Sequence, residues 1–150
     1  MASPASIARH PIHPALVPLP IGLWIFSFVC DAVYLFVSSA VVWDRMAFYT
    51  MLGGVAGALL AAVPGFIDFL SLTDPGVKRV ALAHMLVNLS LVAMYAVNLW
   101  LRTTSPPGAV APVVLSLVGV VLLAVAGWLG GELVFRHGVA VQRATETIGR

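Results

Sequence analysis

The stretch VAPVVLSLVGVVLLAVAGWLGGELVF (Val110–Phe135) decides the fold class, because Val110–Gly131 carries no ionisable side chain and Glu132 is the only charge in the whole run. A helix needs about 20 consecutive apolar residues to cross a hydrocarbon core of about 30 Å. Three further runs meet that requirement: Ala15–Val42, Met46–Leu72 and Val80–Leu101. All four are continuous rather than alternating, which favours membrane helices over barrel strands. Trp43-Asp44-Arg45, Thr73-Asp74-Pro75-Gly76 and Ser105-Pro106-Pro107-Gly108 are expected to form the turns between them.

Composition points the same way. Of 150 residues, 61% are hydrophobic and 9% charged, and the mean hydropathy is +1.02. Soluble domains carry about 25% charged residues, so so few charges cannot solvate a globule of this size. A soluble enzyme, a nucleic-acid-binding protein and a disordered chain are therefore excluded. The formal charge of +2 is too small for a nucleic-acid footprint. A single cysteine, Cys30, excludes an intramolecular disulfide framework. Val37-Ser-Ser-Ala40 resembles a signal-peptidase site, but the apolar run before it is too long for a signal peptide and contains Asp31.

The expected fold is an all-α, integral-membrane, up-down-up-down four-helix bundle forming one domain over residues 1–150, because short loops force neighbouring helices to be antiparallel. Both termini and the 73–79 loop then share one side with Arg9, Lys78, Arg79, Arg136, Arg143 and Arg150, whereas Arg45 and Arg102 lie opposite. The positive-inside rule places both termini in the cytoplasm, and the expected location is a bacterial inner (cytoplasmic) membrane crossed several times.

The chain reads as two copies of one helical hairpin. His13-Pro-Ala-Leu-Val-Pro-Leu parallels His84-Met-Leu-Val-Asn-Leu, and Val63-Pro-Gly-Phe-Ile-Asp68 parallels Val125-Ala-Gly-Trp-Leu with Glu132 after an inserted Gly-Gly. Two helices per unit make this a parallel repeat about the membrane normal.

His10, His13, His84, His137, Asp68 and Glu132 are all expected near the terminal side. Ionisable groups at membrane depth face a cavity, a pathway or the bundle interior, so this cluster is the candidate site. Two chemistries suit it. His13 and His84 can ligate one haem b iron as an axial pair, with Gly53, Gly54, Gly57, Gly65, Gly119, Gly127, Gly130 and Gly131 leaving volume for the macrocycle. Alternatively, His13, His84, His10, Asp68 and Glu132 hold zinc or iron directly. His10 and His137 are expected to hydrogen-bond the ligands or to replace one of them, and prolines preclude a regular helix through His10–Pro14. Without a cofactor, the same groups serve structure or proton handling, and the glycines serve close helix packing.

A second polar stripe comprises Ser27, Asp31, Tyr34 and Ser38 on the first helix, facing Asn88, Tyr95 and Asn98 beyond His84 on the third. Asp31 and Tyr95 are expected at one depth, roughly 22 Å in at 1.5 Å per residue. Asp31 is expected to be protonated or held by Tyr95 or Asn98, because an unpaired carboxylate in lipid is too costly. The stripe is either interhelical glue or a proton or polar-substrate path. Trp43 and Trp100 read as an interfacial belt, and Trp24 and Trp128 as core packing or a wall against a macrocycle. The tail 142–150 reads as frayed or as a docking peptide.

Together, His10-Pro-Ile-His13-Pro-Ala-Leu-Val-Pro-Leu-Pro-Ile-Gly-Leu-Trp24, Asp31, Ala62-Val-Pro-Gly-Phe-Ile-Asp68, His84-Met-Leu-Val-Asn88, Gly127-Trp-Leu-Gly-Gly-Glu-Leu-Val and His137-Gly138 resemble DUF2231, a family of small bacterial four-helix membrane proteins. The resemblance implies electron transfer, since members occur fused to or near Rieske iron–sulfur or cytochrome-type domains. It assigns no catalytic residues. A redox partner is expected here as a separate subunit or a larger membrane complex. The expected role is an electron-transfer or accessory subunit in the lipid bilayer rather than a stand-alone enzyme.

Overall fold

The computed structural model describes residues 3–141, and its four long helices grow from the four apolar runs. A two-stranded antiparallel hairpin precedes them, β1 (Ser6–Ile7) and β2 (His10–Pro11). Its two-residue turn places Ala8 and Arg9 at φ +48° and +66°, the left-handed conformation that such hairpin turns require. The helices are α1 (Ile12–Leu16), α2 (Pro18–Phe36), α3 (Val41–Leu70), α4 (Pro75–Thr104) and α5 (Val110–Gly131), the last running into a π-helical turn at Glu132–Arg136. Four spans long and apolar enough to cross a membrane result, with α1 and α2 forming the first.

Several expected boundaries move. Prolines do not prevent helix at His13: α1 begins at Ile12, and Pro14 sits in its first turn, where no intrahelical N–H bond is lost. The first span ends at Phe36 rather than Val42, with the amides of both Val37 and Ser38 bonded to Val33 O. The expected turn at Trp43–Arg45 is helical; Asp44 lies in the first turn of α3, where a carboxylate complements the helix dipole. The third span begins at Pro75 rather than Val80, because Asp74 Oδ1 caps Val77 N at 2.9 Å and Pro75 occupies the first helical position. That span also continues past Leu101 to Thr104, which draws Arg102 into the helix.

α2 packs against α3 and α5, and α4 packs against the same two, so α2 and α4 face each other across the diagonal. One end of the bundle carries the N-terminal hairpin, the 71–74 turn and the π-turn; the far end carries the 37–40 and 105–109 connections.

The duplication is visible in three dimensions, with a register of 71 residues between α1–α2 and α4 and 65 between α3 and α5. Trp24 and Tyr95 stack with centroids 4.4 Å apart; Trp24 fills the space over Gly54, and Tyr95 that over Gly119. Ser27 Oγ donates to Ala47 O at 2.8 Å, and Asn98 Nδ2 donates to Pro112 O at 2.9 Å. Positions 24/95, 27/98, 54/119 and 47/112 therefore correspond. The α3–α5 register differs from the expected alignment of Gly65 with Gly127: the contacts match Gly65 with Gly130. Residues on the axis between the hairpins form the core, in which Trp24, Met51, Leu91, Tyr95, Leu123 and Ala126 cluster.

Candidate functional site

His13 and His84, also 71 positions apart, meet at the terminal end of this axis. Their ring centroids are 6.5 Å apart and their planes are perpendicular at 87°. His13 Nδ1 lies 2.8 Å from Ala61 O, and His84 Nδ1 lies 3.0 Å from Ala126 O, carbonyls 65 positions apart. A carbonyl only accepts, so Nδ1 is the donor in both contacts and Nε2 is the ring nitrogen left for another partner. Each ring turns its Nδ1–Cε1 edge to a glycine four residues beyond its carbonyl, Gly65 or Gly130. Asn88 Nδ2 donates to His84 O at 2.8 Å and sits 3.3 Å from His84 Nε2. In each case a carbonyl fixes the orientation of the ring.

The other four expected members of the cluster form no metal-binding group with this pair among the described residues. His10 is exposed on β2, with Nδ1 2.9 Å from Ala8 O. Asp68 is buried and anchors the N-terminal segment, its Oδ1 accepting from Ser3 Oγ at 2.7 Å and Ala5 N at 3.3 Å. Glu132 pairs with Arg136 one turn on, at 3.0 Å. His137 caps the π-turn, with its backbone N–H bonded to Glu132 O at 3.3 Å. Among the described residues, no three His, Cys, Asp or Glu side chains form a metal-binding group.

The glycines expected to leave volume for a macrocycle are largely filled. Leu23, Trp24, Leu19, His13, Tyr95 and His84 pack over Gly53, Gly54, Gly57, Gly65, Gly119 and Gly130, while Gly131 meets only Phe135 and Gly127 has nothing within 4 Å. Of the inner tryptophans, Trp24 is core, whereas Trp128 is 77% exposed on the lipid-facing surface.

The second polar stripe closes on a residue that sequence reasoning left in a loop. Arg102 Nη2 donates to Asp31 Oδ2 at 2.6 Å, with both side chains almost wholly buried. Asp31 is thus paired with arginine, not held by Tyr95 or Asn98. Tyr95 lies level with Trp24, seven residues or roughly 10 Å from the expected Asp31 depth, and its hydroxyl has no hydrogen-bond partner among the described residues. Arg102 Nε also donates to Asn98 Oδ1 at 3.2 Å, and Nη2 to Ser116 Oγ at 3.2 Å. Asp44 stands 3.7 Å from Arg102 Nη1 and accepts from Gly108 N at 3.3 Å. Gly108 has φ +73°, and a Cβ there would strike the Tyr34 ring. Asn98 and Arg102 are one helical turn apart on the same face, the spacing that reveals Arg102 as part of the stripe.

Arg143 and Arg150, and the expectation for the 142–150 tail, lie outside the described residues. No curated protein and no solved structure matches the chain. The family model for predicted membrane proteins, DUF2231, matches residues 9–143, and the chain belongs to that family.

Proposed function

We propose that His13 and His84 are the axial ligands of a haem b iron and that the protein is an electron-transfer protein or subunit of the membrane. The observation carrying this reading is the isolated pair: two imidazoles related by the bundle's pseudo-two-fold axis, each with Nδ1 held by a carbonyl. A centroid separation of 6.5 Å is within the reach of two imidazoles that would share one metal ion at bonds of about 2.0–2.1 Å. A tetrapyrrole supplies the other iron ligands, so two protein donors suffice. Zinc held by protein alone takes three or four, and no third donor joins this pair among the described residues. When bound, haem supplies one-electron exchange. The chain's own residues hold the rings: Ala61 O and Ala126 O orient them, and Gly65 and Gly130 admit them.

The positive-inside rule supports a cytoplasmic terminal end, and with it a cytoplasmic histidine pair. Arg9, Lys78, Arg79 and Arg136 lie there, while Arg45 lies at the far end and Arg102 is neutralised by Asp31. The test is the absorption spectrum of the purified protein, first oxidised and then reduced with dithionite. A Soret band near one haem per chain, with a sharp reduced α-band, is the expected result. A colourless protein from haem-replete cells contradicts haem, and stoichiometric zinc or iron in it would transfer the pair to a non-haem metal.

A further inference from the structure

The Asp31–Arg102 pair joins equivalent positions of the two hairpins. Position 31 plus the register of 71 that relates His13 to His84 and Trp24 to Tyr95 is position 102. Three pairs therefore meet across one axis: two like imidazoles, two stacked aromatic rings and two opposite charges. The first two are compatible with an interface between identical hairpins. The third is not, because identical hairpins would bring two carboxylates or two guanidinium groups together at a buried point in the membrane.

We propose that the axis-facing surface of each hairpin (Trp24, Ser27 and Asp31; Tyr95, Asn98 and Arg102) is a self-recognition surface whose natural partner is a second hairpin of the same design. The opposite charges at 31 and 102 make each half pair with the other rather than with a like copy. Backbone acceptors support the equivalence, since Ser27 and Asn98 bond carbonyls 65 positions apart, as do His13 and His84. Small charges of this kind are a known means of setting partner choice at buried interfaces. The inference is independent of the haem reading, since it concerns only how the halves pair.

Interchangeable positions accept exchange of their residues. The test uses the full chain with Asp44→Asn, which removes the third charge beside Arg102. In that background, Asp31→Arg, Arg102→Asp and the double exchange are compared for the yield of folded, monodisperse protein in detergent. Each single variant is expected to lose about tenfold or more, and the double exchange to recover to within about threefold of its background. Asp31→Asn with Arg102→Gln in the same background reports whether the level tolerates loss of charge. A double exchange no better than the single variants overturns the proposal, and does so most sharply if the Asn/Gln variant folds.

Discussion

Arg102 and Asp31, one on each side of the bundle diagonal, form a 2.6 Å ion pair from which water is almost excluded. Taking both charges out of water is costly, and their attraction offsets that cost only because Asn98, Ser116 and Asp44 surround the guanidinium. Breaking one side should therefore hurt more than removing both. Arg102→Met is expected to destabilise the protein by about 3–5 kcal/mol, and Asp31→Leu combined with Arg102→Met by much less. Thermal unfolding in detergent of the two single variants and the double variant measures the coupling; additive losses would contradict the pairing.

Gly54 and Gly119 are equivalent floors beneath Trp24 and Tyr95. Because those rings are stacked on each other, neither can yield freely to an added methyl group. Gly54→Ala and Gly119→Ala should each cost about 1–3 kcal/mol by overpacking. Gly22→Ala and Gly127→Ala, with nothing within 4 Å, should be neutral in the same melting experiment.

The Tyr95 hydroxyl is fully buried without a hydrogen-bond partner among the described residues. Leaving such a group unsatisfied costs about 1–3 kcal/mol, so Tyr95→Phe should keep the stack and raise stability, by up to about 1 kcal/mol after repacking. A clear drop in melting temperature would show that the hydroxyl is engaged.

Asp68 holds the N-terminal segment through Ser3 and Ala5. Asp68→Ala should release that segment, seen as faster amide exchange at Ala5 and Ile12, whose N–H bonds Ala5 O at 3.0 Å. The spans and any cofactor absorbance should be unchanged. Loss of absorbance with unchanged exchange would restore Asp68 to the site.

Hydropathy made the four spans legible because lipid imposes one requirement along the whole of each helix. The meeting of His13 with His84 was also legible, since they hold equivalent positions of a repeat. Helix ends were less so: they depend on caps such as Asp74 and on where α2 runs out of backbone partners at Val33. That uncertainty hid Arg102, because a span cut at Leu101 turns a buried ion-pair partner into a loop charge. Asp68 and Glu132 shared a level with the histidines in sequence but not a direction. Only packing shows that each is taken by a neighbour.

Ligation by the two axial rings is the central claim, and electron paramagnetic resonance of the oxidised protein tests it most directly. The account predicts a low-spin ferric signal in the parent, lost in both His13→Ala and His84→Ala and retained in His10→Ala and His137→Ala. A parent without that signal, or one that keeps it when either His13 or His84 is removed, would contradict the account.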